Sequence, residues 1–172
     1  MNRLDLILEQ MSRSRANLLA ATDAIPPRTW RSAPHPEAWS VAEVIAHLTM
    51  VESAVTRGAE RIIQQIPPSL PFWKKLHVPV RMAEWRLVRR KSPIPLDPSL
   101  LSDKEAMLAC VREARARTLS FLDQNHDHDF SAYRWPHPFL GSLNLYDWLR
   151  FLAYHEIRHT KQIREIVDAL PN

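Results

Sequence analysis

The chain has 172 residues, 45% of them apolar and 24% charged, which is enough to bury one substantial core, so a single domain spanning 1–172 is expected. Two glycines against fourteen prolines argue against a fold rich in tight β-hairpins, whose primed turns and bulges need residues at positive φ, and the composition therefore leans helical. A sole cysteine, Cys110, excludes an intramolecular disulfide or a thiolate metal cluster, and a net charge of +4 is modest beside the dense basic faces of nucleic-acid binders.

In chain order, charges interrupt every apolar stretch of MNRLDLILEQMSRSR, so neither a signal-peptide core nor a membrane span is expected, and the protein reads as soluble and cytoplasmic. Leu4, Ile7, Leu8, Met11, Leu18, Leu19 and Thr22 recur at steps of three and four, predicting a first helix that stops before Pro26 and Pro27. The segment TWRSAPHPEAW, from Thr29 to Trp39, reads as an extended linker whose indoles cover one end of a bundle. Ser40 and Glu43 then form a capping box that opens a second helix with the stripe Val44, Leu48, Val51, Val55, Ile62 and Ile66, ending at Pro67.

Residues 67–98 hold seven of the fourteen prolines and read as a long crossover, with a short helix between Val80 and Lys91. A second capping box, Ser102 with Glu105, starts a third helix that buries Met107, Leu108, Val111, Leu119 and Leu122 and ends near Asn125. After YRWPHPFLG, Asn144 with Asp147 can cap a last helix whose inward face runs through Leu145, Trp148, Leu152, His155, His159, Ile163, Ile166 and Leu170. Four amphipathic helices of this kind bury their stripes together as an all-α four-helix bundle with a long Pro-rich crossover between helices two and three.

The chemistry resides in three histidines. His155 and His159 lie one turn apart on the predicted core face, where an unpaired imidazole costs roughly 1–3 kcal/mol. His47 follows Val44 by three residues and precedes Val51 by four, so it shares the inward stripe of helix two. A lone inward histidine is ordinarily a satisfied core residue, but beside an HxxxH pair the three read as ligands of one divalent metal. Three protein ligands with one position left for water or substrate is the pattern of catalytic zinc, and such imidazole sites also accept nickel, iron or copper.

HEIRH also matches the HExxH zincin motif, yet only thirteen residues follow His159 and they supply neither the HxxGxxH extension nor a distant third ligand. Glu156 could support a ligand or act as a base, with a helix-surface ion pair to Arg158 or Lys161 as the plainer reading. Gln162 could hydrogen-bond a ligand imidazole or face solvent. His35, His77, His126, His128 and His137 fall in connections and read as solvated, and Cys110 reads as a buried, inert thiol. The two glycines, Gly58 and Gly141, cannot build a phosphate-cradling loop.

WSVAEVIAHL entering helix two, HEIRHTKQI in the last helix, the approach WPHPFLG and the long crossover together resemble the DinB/YfiT-like superfamily of four-helix bundles over nearly the whole chain. The resemblance implies a divalent metal, often zinc or nickel, on one histidine of helix two and two of the last helix, which fall on His47, His155 and His159. It leaves the reaction open, because the superfamily includes thiol-dependent S-transferases, isomerases, proposed hydrolases and many members without known activity.

The leading expectation is thus a metal-dependent enzyme that activates a water or a low-molecular-weight thiol against a small electrophilic substrate. Lys74, Lys75, Arg81, Arg86, Arg89, Arg90 and Lys91 against Glu84 give the crossover a basic character that would favour anionic substrates if it lies over the site. The alternative is a non-catalytic metal-containing binding module that contacts nucleic acid or another anion through this crossover, and a homodimer is compatible with either reading.

Overall fold

The computed structural model describes residues 2–67, 77–84 and 100–170. Its main elements are the helices α1 (Arg3–Asp23), α2 (Val41–Ile62), α3 (Lys104–Gln124) and α4 (Leu145–Ala169), with a hairpin of β1 (Arg134–His137) and β2 (Gly141–Asn144) feeding directly into α4. The fold is an all-α four-helix bundle in which α1 packs along α4 and α2 along α3, with a smaller contact between α2 and α4. None of the described helices is long and apolar enough to cross a membrane.

Local signals start each helix. Ser40 and Glu43 cap α2 reciprocally, Glu43 Oε2 accepting from Ser40 N at 2.7 Å and Ser40 Oγ accepting from Glu43 N at 3.3 Å. Asn144 Oδ1 accepts from Asp147 N at 2.9 Å to start α4. Asn2 and Asp5 form another reciprocal box on α1. The exception is α3, capped by Asp103, whose Oδ1 accepts from Ala106 N at 2.9 Å, rather than by the Ser102 and Glu105 pair. Asp103 places the helix start one residue later than the serine would.

Several predicted positions shift with this geometry. α2 ends at Ile62, before Pro67, so Ile66 lies beyond the helix and is 93% exposed, and Ala59 is buried where the stripe would have continued. On α3, Leu119 is exposed, and the inward face continues instead through Ala114, Arg115, Thr118 and Phe121. Leu170 caps the end of α4 in extended conformation rather than extending its inward face. Of the crossover, residues 67 and 77–84 are described, with Val80–Glu84 forming a 3-10 turn against α4, while the rest of the predicted helix up to Lys91 and the basic residues Lys74, Lys75, Arg86, Arg89, Arg90 and Lys91 lie outside the described residues.

The core divides into two apolar clusters stacked along the bundle. One gathers Ile7, Met11, Val55, Phe121, Phe130, Leu149 and Leu152, and the other gathers Leu18, Trp30, Val44, Ile45, Met107, Leu108 and Ile163. Trp30 closes the second cluster with 1% of its surface exposed, and its Nε1–H points at Met107 Sδ at 3.3 Å, as expected of an indole covering a bundle end. Lys104 ties the C-terminus of α1 to α3, its Nζ donating to the carbonyls of Asp23 and Ile25 at 2.8 Å each.

The hairpin departs from the expectation of loops. Arg134 pairs with Asn144 and His137 with Gly141, and Gly141 takes φ 87°, a conformation that disfavours any side chain. His77 forms a further antiparallel bridge to Gly141, so one of the two glycines stands where three stretches of chain meet. Stacking of Trp135 on Trp148, with centroids 4.9 Å apart, holds the hairpin against α4.

Candidate metal centre

The three inward histidines meet at the seam of α2 and α4. His47 Nε2 lies 3.2 Å from His155 Nε2, and His159 Nε2 lies 3.1 Å from His155 Nε2. The ligand-competent nitrogens of the three all fall within 4.8 Å of one another, and no fourth histidine, cysteine or carboxylate among the described residues joins the group. Two nitrogens bound at about 2.0–2.1 Å to one tetrahedral ion stand about 3.3 Å apart, so the two short separations suit a shared cation.

Protonation favours the same reading. His159 Nδ1 lies 2.8 Å from Gln162 Oε1, an acceptor, so Nδ1 carries the proton and Nε2 presents a bare lone pair to the group. Burial pushes His47 down from 6.5 to about 4. Burial, followed by the neighbouring His159, His47, Arg158 and His137, pushes His155 well below the ordinary histidine range. His47 and His155 are thereby disposed to the neutral form that a metal requires. Converging lone pairs repel one another, and a cation at their meeting point removes that repulsion, so the donor set fits a divalent metal.

Aromatic rings wall the site. Trp39, placed by the capping box that follows it, lies 5.2 Å from the His47 ring and stacks on His159 at 6.4 Å with planes 14° apart. On the other side Phe151, one turn before His155, stacks on it at 5.0 Å. The linker tryptophan thus does more than cover a bundle end, because it closes one side of the histidine group.

A family model described as the DinB superfamily matches residues 10–163. The chain belongs to the DinB superfamily. It is 28% identical over 141 residues to the uncharacterised protein YuaE of Bacillus subtilis, covering 80% of this chain and 82% of that protein. Among solved structures, the four-helix bundle protein TT2238 superposes with a TM-score of 0.61 at 26% identity, covering 94% of this chain and 98% of its own. YfiT from Bacillus subtilis, a probable metal-dependent hydrolase with an unusual four-helix bundle topology, superposes with a TM-score of 0.64 at 18% identity, covering 95% and 85% respectively.

In this DinB-superfamily chain the residues flanking the histidines resolve unequally. Gln162 is the hydrogen-bond partner of His159, one of the two roles open to it. Glu156 is neither a surface residue nor paired with Arg158 or Lys161. It is 2% exposed, its carboxylate accepts from Ser14, Arg15 and Arg115, and Lys161 instead reaches Glu84 at 2.7 Å. Helical geometry explains the difference: Glu156 lies 100° round from His155, which turns it toward α1 and α3. A carboxylate held by two guanidinium groups is no base for a zincin reaction.

Two histidines expected to be solvated are not. His137 is half-buried on β1, with its ring 4.5 Å from Phe151 and 5.0 Å from Trp148, and burial lowers it to about 4. Its Nδ1 accepts from the backbone N–H groups of Phe139 and Leu140 at 3.1 and 3.2 Å, so the ring proton resides on Nε2. His77 Nε2 lies 3.3 Å from Asp147 Oδ2. Proline-flanked sequence hid both, because only the paired hairpin carries His137 onto α4. Conversely Cys110 is exposed, on the outer face of α3, and not the buried thiol expected.

Proposed function

We propose that this chain is a metal-dependent enzyme in which His47, His155 and His159 hold a divalent ion, zinc or nickel, and leave a position open to a small molecule. The observation that carries the reading is the convergence of three imidazoles with no fourth protein ligand among the described residues. Bound there, the ion would supply Lewis acidity and lower the pKa of a water or thiol entering the open position.

The chain's own residues supply orientation and exclusion. Gln162 fixes the His159 ring, and Trp39 and Phe151 wall the site on two sides. Hydrolysis of a small electrophilic substrate is the preferred reaction, supported by the likeness of the fold to YfiT, a probable metal-dependent hydrolase. Transfer to a low-molecular-weight thiol uses the same open position.

The test begins with protein purified without a histidine tag or chelator and analysed by elemental mass spectrometry. About one ion per chain is expected, lost in a folded variant carrying His47→Ala, His155→Ala and His159→Ala. Small esters, amides and alkyl electrophiles, assayed with and without added thiol, then separate hydrolysis from thiol transfer. Wild-type protein that stays free of metal after reconstitution with zinc and nickel would overturn the proposal.

A further inference from the structure

The helices that bear the triad are not each other's main packing partners, since α4 lies chiefly along α1 and α2 along α3. Apolar contact between them is non-directional and tolerates sliding, whereas a shared metal site requires nitrogens placed to within about 0.5 Å. Something directional must therefore span the α2–α4 seam.

A buried set of four charges does so, one from each helix: Arg15 on α1, Glu52 on α2, Arg115 on α3 and Glu156 on α4, none more than 9% exposed. Arg15 donates from one nitrogen to Glu52 Oε2 at 2.7 Å and from Nε to Glu156 Oε1 at 2.6 Å. Arg115 repeats the bridge from the opposite side, with Nε to Glu52 Oε1 at 2.6 Å and a terminal nitrogen to Glu156 Oε2 at 3.3 Å. The remaining donors are reciprocal: Arg115 reaches the Met11 carbonyl at 2.6 Å, and Arg15 reaches the Val111 carbonyl. Thr118 donates to Glu52 at 3.2 Å and Ser14 donates to Glu156. Burial works against the charge on Arg115, but Glu52 and Glu156 outweigh it, and its pKa is raised.

We propose that Arg15, Glu52, Arg115 and Glu156 act as a positioning quartet that sets the spacing and register of α2 against α4, and thereby the geometry of the histidine triad. The inference rests on the metal-centre reading above. Both carboxylates sit on the metal-bearing helices and both guanidinium groups on the other two, so each rigid fork ties Glu52 to Glu156. The lever is short: Glu156 adjoins His155, and Glu52 follows His47 by five residues, about 7.5 Å of helix. An apolar core of the same volume commonly holds a fold equally well, so a fully satisfied ionic set is best explained by the specificity of arrangement it confers.

The test uses Glu52→Gln combined with Arg115→Met, which removes one charge of each sign, and Arg115→Lys, which keeps the charge but loses the fork. Each is titrated with cobalt(II) and zinc against a competing chelator at a temperature where circular dichroism shows it folded. In parallel, nitroxides on Glu60→Cys and Arg164→Cys in a Cys110→Ser background report the α2–α4 distance without metal. A 10- to 100-fold loss of affinity, roughly the range for groups that orient metal ligands, is expected in the double variant, with altered cobalt d–d absorption and a broadened distance distribution. The lysine variant is expected to shift less in the same direction. Folded variants with wild-type affinity, spectrum and distance would overturn the quartet's role. Wild-type protein that takes up no metal, while the variants still broaden the distance, would uphold the positioning of the seam and refute the metal reading alone.

Discussion

Removal of Arg115 by Arg115→Met should be among the most damaging single changes outside the histidine group. The side chain makes hydrogen bonds to Glu52 at 2.6 Å, to Glu156 at 3.3 Å and to the Met11 carbonyl at 2.6 Å, all buried. Methionine fills most of the volume but leaves two carboxylates facing one guanidinium, a net negative charge in the core. Breaking a buried pair in this way costs about 3–5 kcal/mol. For a chain of this length each kcal/mol moves the melting temperature by roughly 2–4 °C, so a fall of about 6–20 °C is expected by circular dichroism. The control is the quadruple change Arg15→Met, Glu52→Leu, Arg115→Met and Glu156→Leu, which leaves no unpaired charge and should recover most of the loss. If Arg115→Met melted within about 1 kcal/mol of wild type, the four charges could not be coupled as described.

Three further outcomes follow from single groups. His47 falls from 6.5 to about 4 on folding, so the unfolded chain binds the extra proton below pH 6.5. Metal-stripped protein should hold this contribution, about 3 kcal/mol, above pH 6.5 and lose it progressively toward pH 4, with His137 acting in the same sense, and denaturant melts across that range would expose a flat profile as a refutation. Gln162→Leu removes the acceptor for His159 Nδ1–H and should weaken zinc binding by about 10- to 100-fold, whereas Gln162→Glu should retain it, as chelator competition would show. Gly141→Ala places a Cβ at φ 87° and should cost about 1–2 kcal/mol, with an unchanged melting temperature counting against the hairpin geometry.

Much of the candidate site was legible because it obeys helical periodicity. His155 and His159 are one turn apart, His47 shares the stripe of Val44 and Val51, and the structure brings their nitrogens together as that spacing implies. The Ser40 and Asn144 caps were readable for the same local reason, since a cap and the amide it accepts from lie within one turn. What failed locally was competition between neighbours: Asp103 displaced Ser102 as the cap of α3, and Leu119 had a helical step but lies exposed while Thr118 and Phe121 face inward.

The sequence by itself determined the helical class, the four amphipathic segments and the trio of histidines, because each depends on spacing within a single element. Only tertiary structure decided that Arg15, Glu52 and Arg115 are buried and paired across the bundle, because their partners come from other helices. It also decided that Glu156 turns away from the triad, that Trp39 closes it and that β1 brings His137 beside Phe151. A charge can stay buried only where opposite charges and carbonyls from distant segments meet it, and that meeting leaves no period in any one stretch of chain.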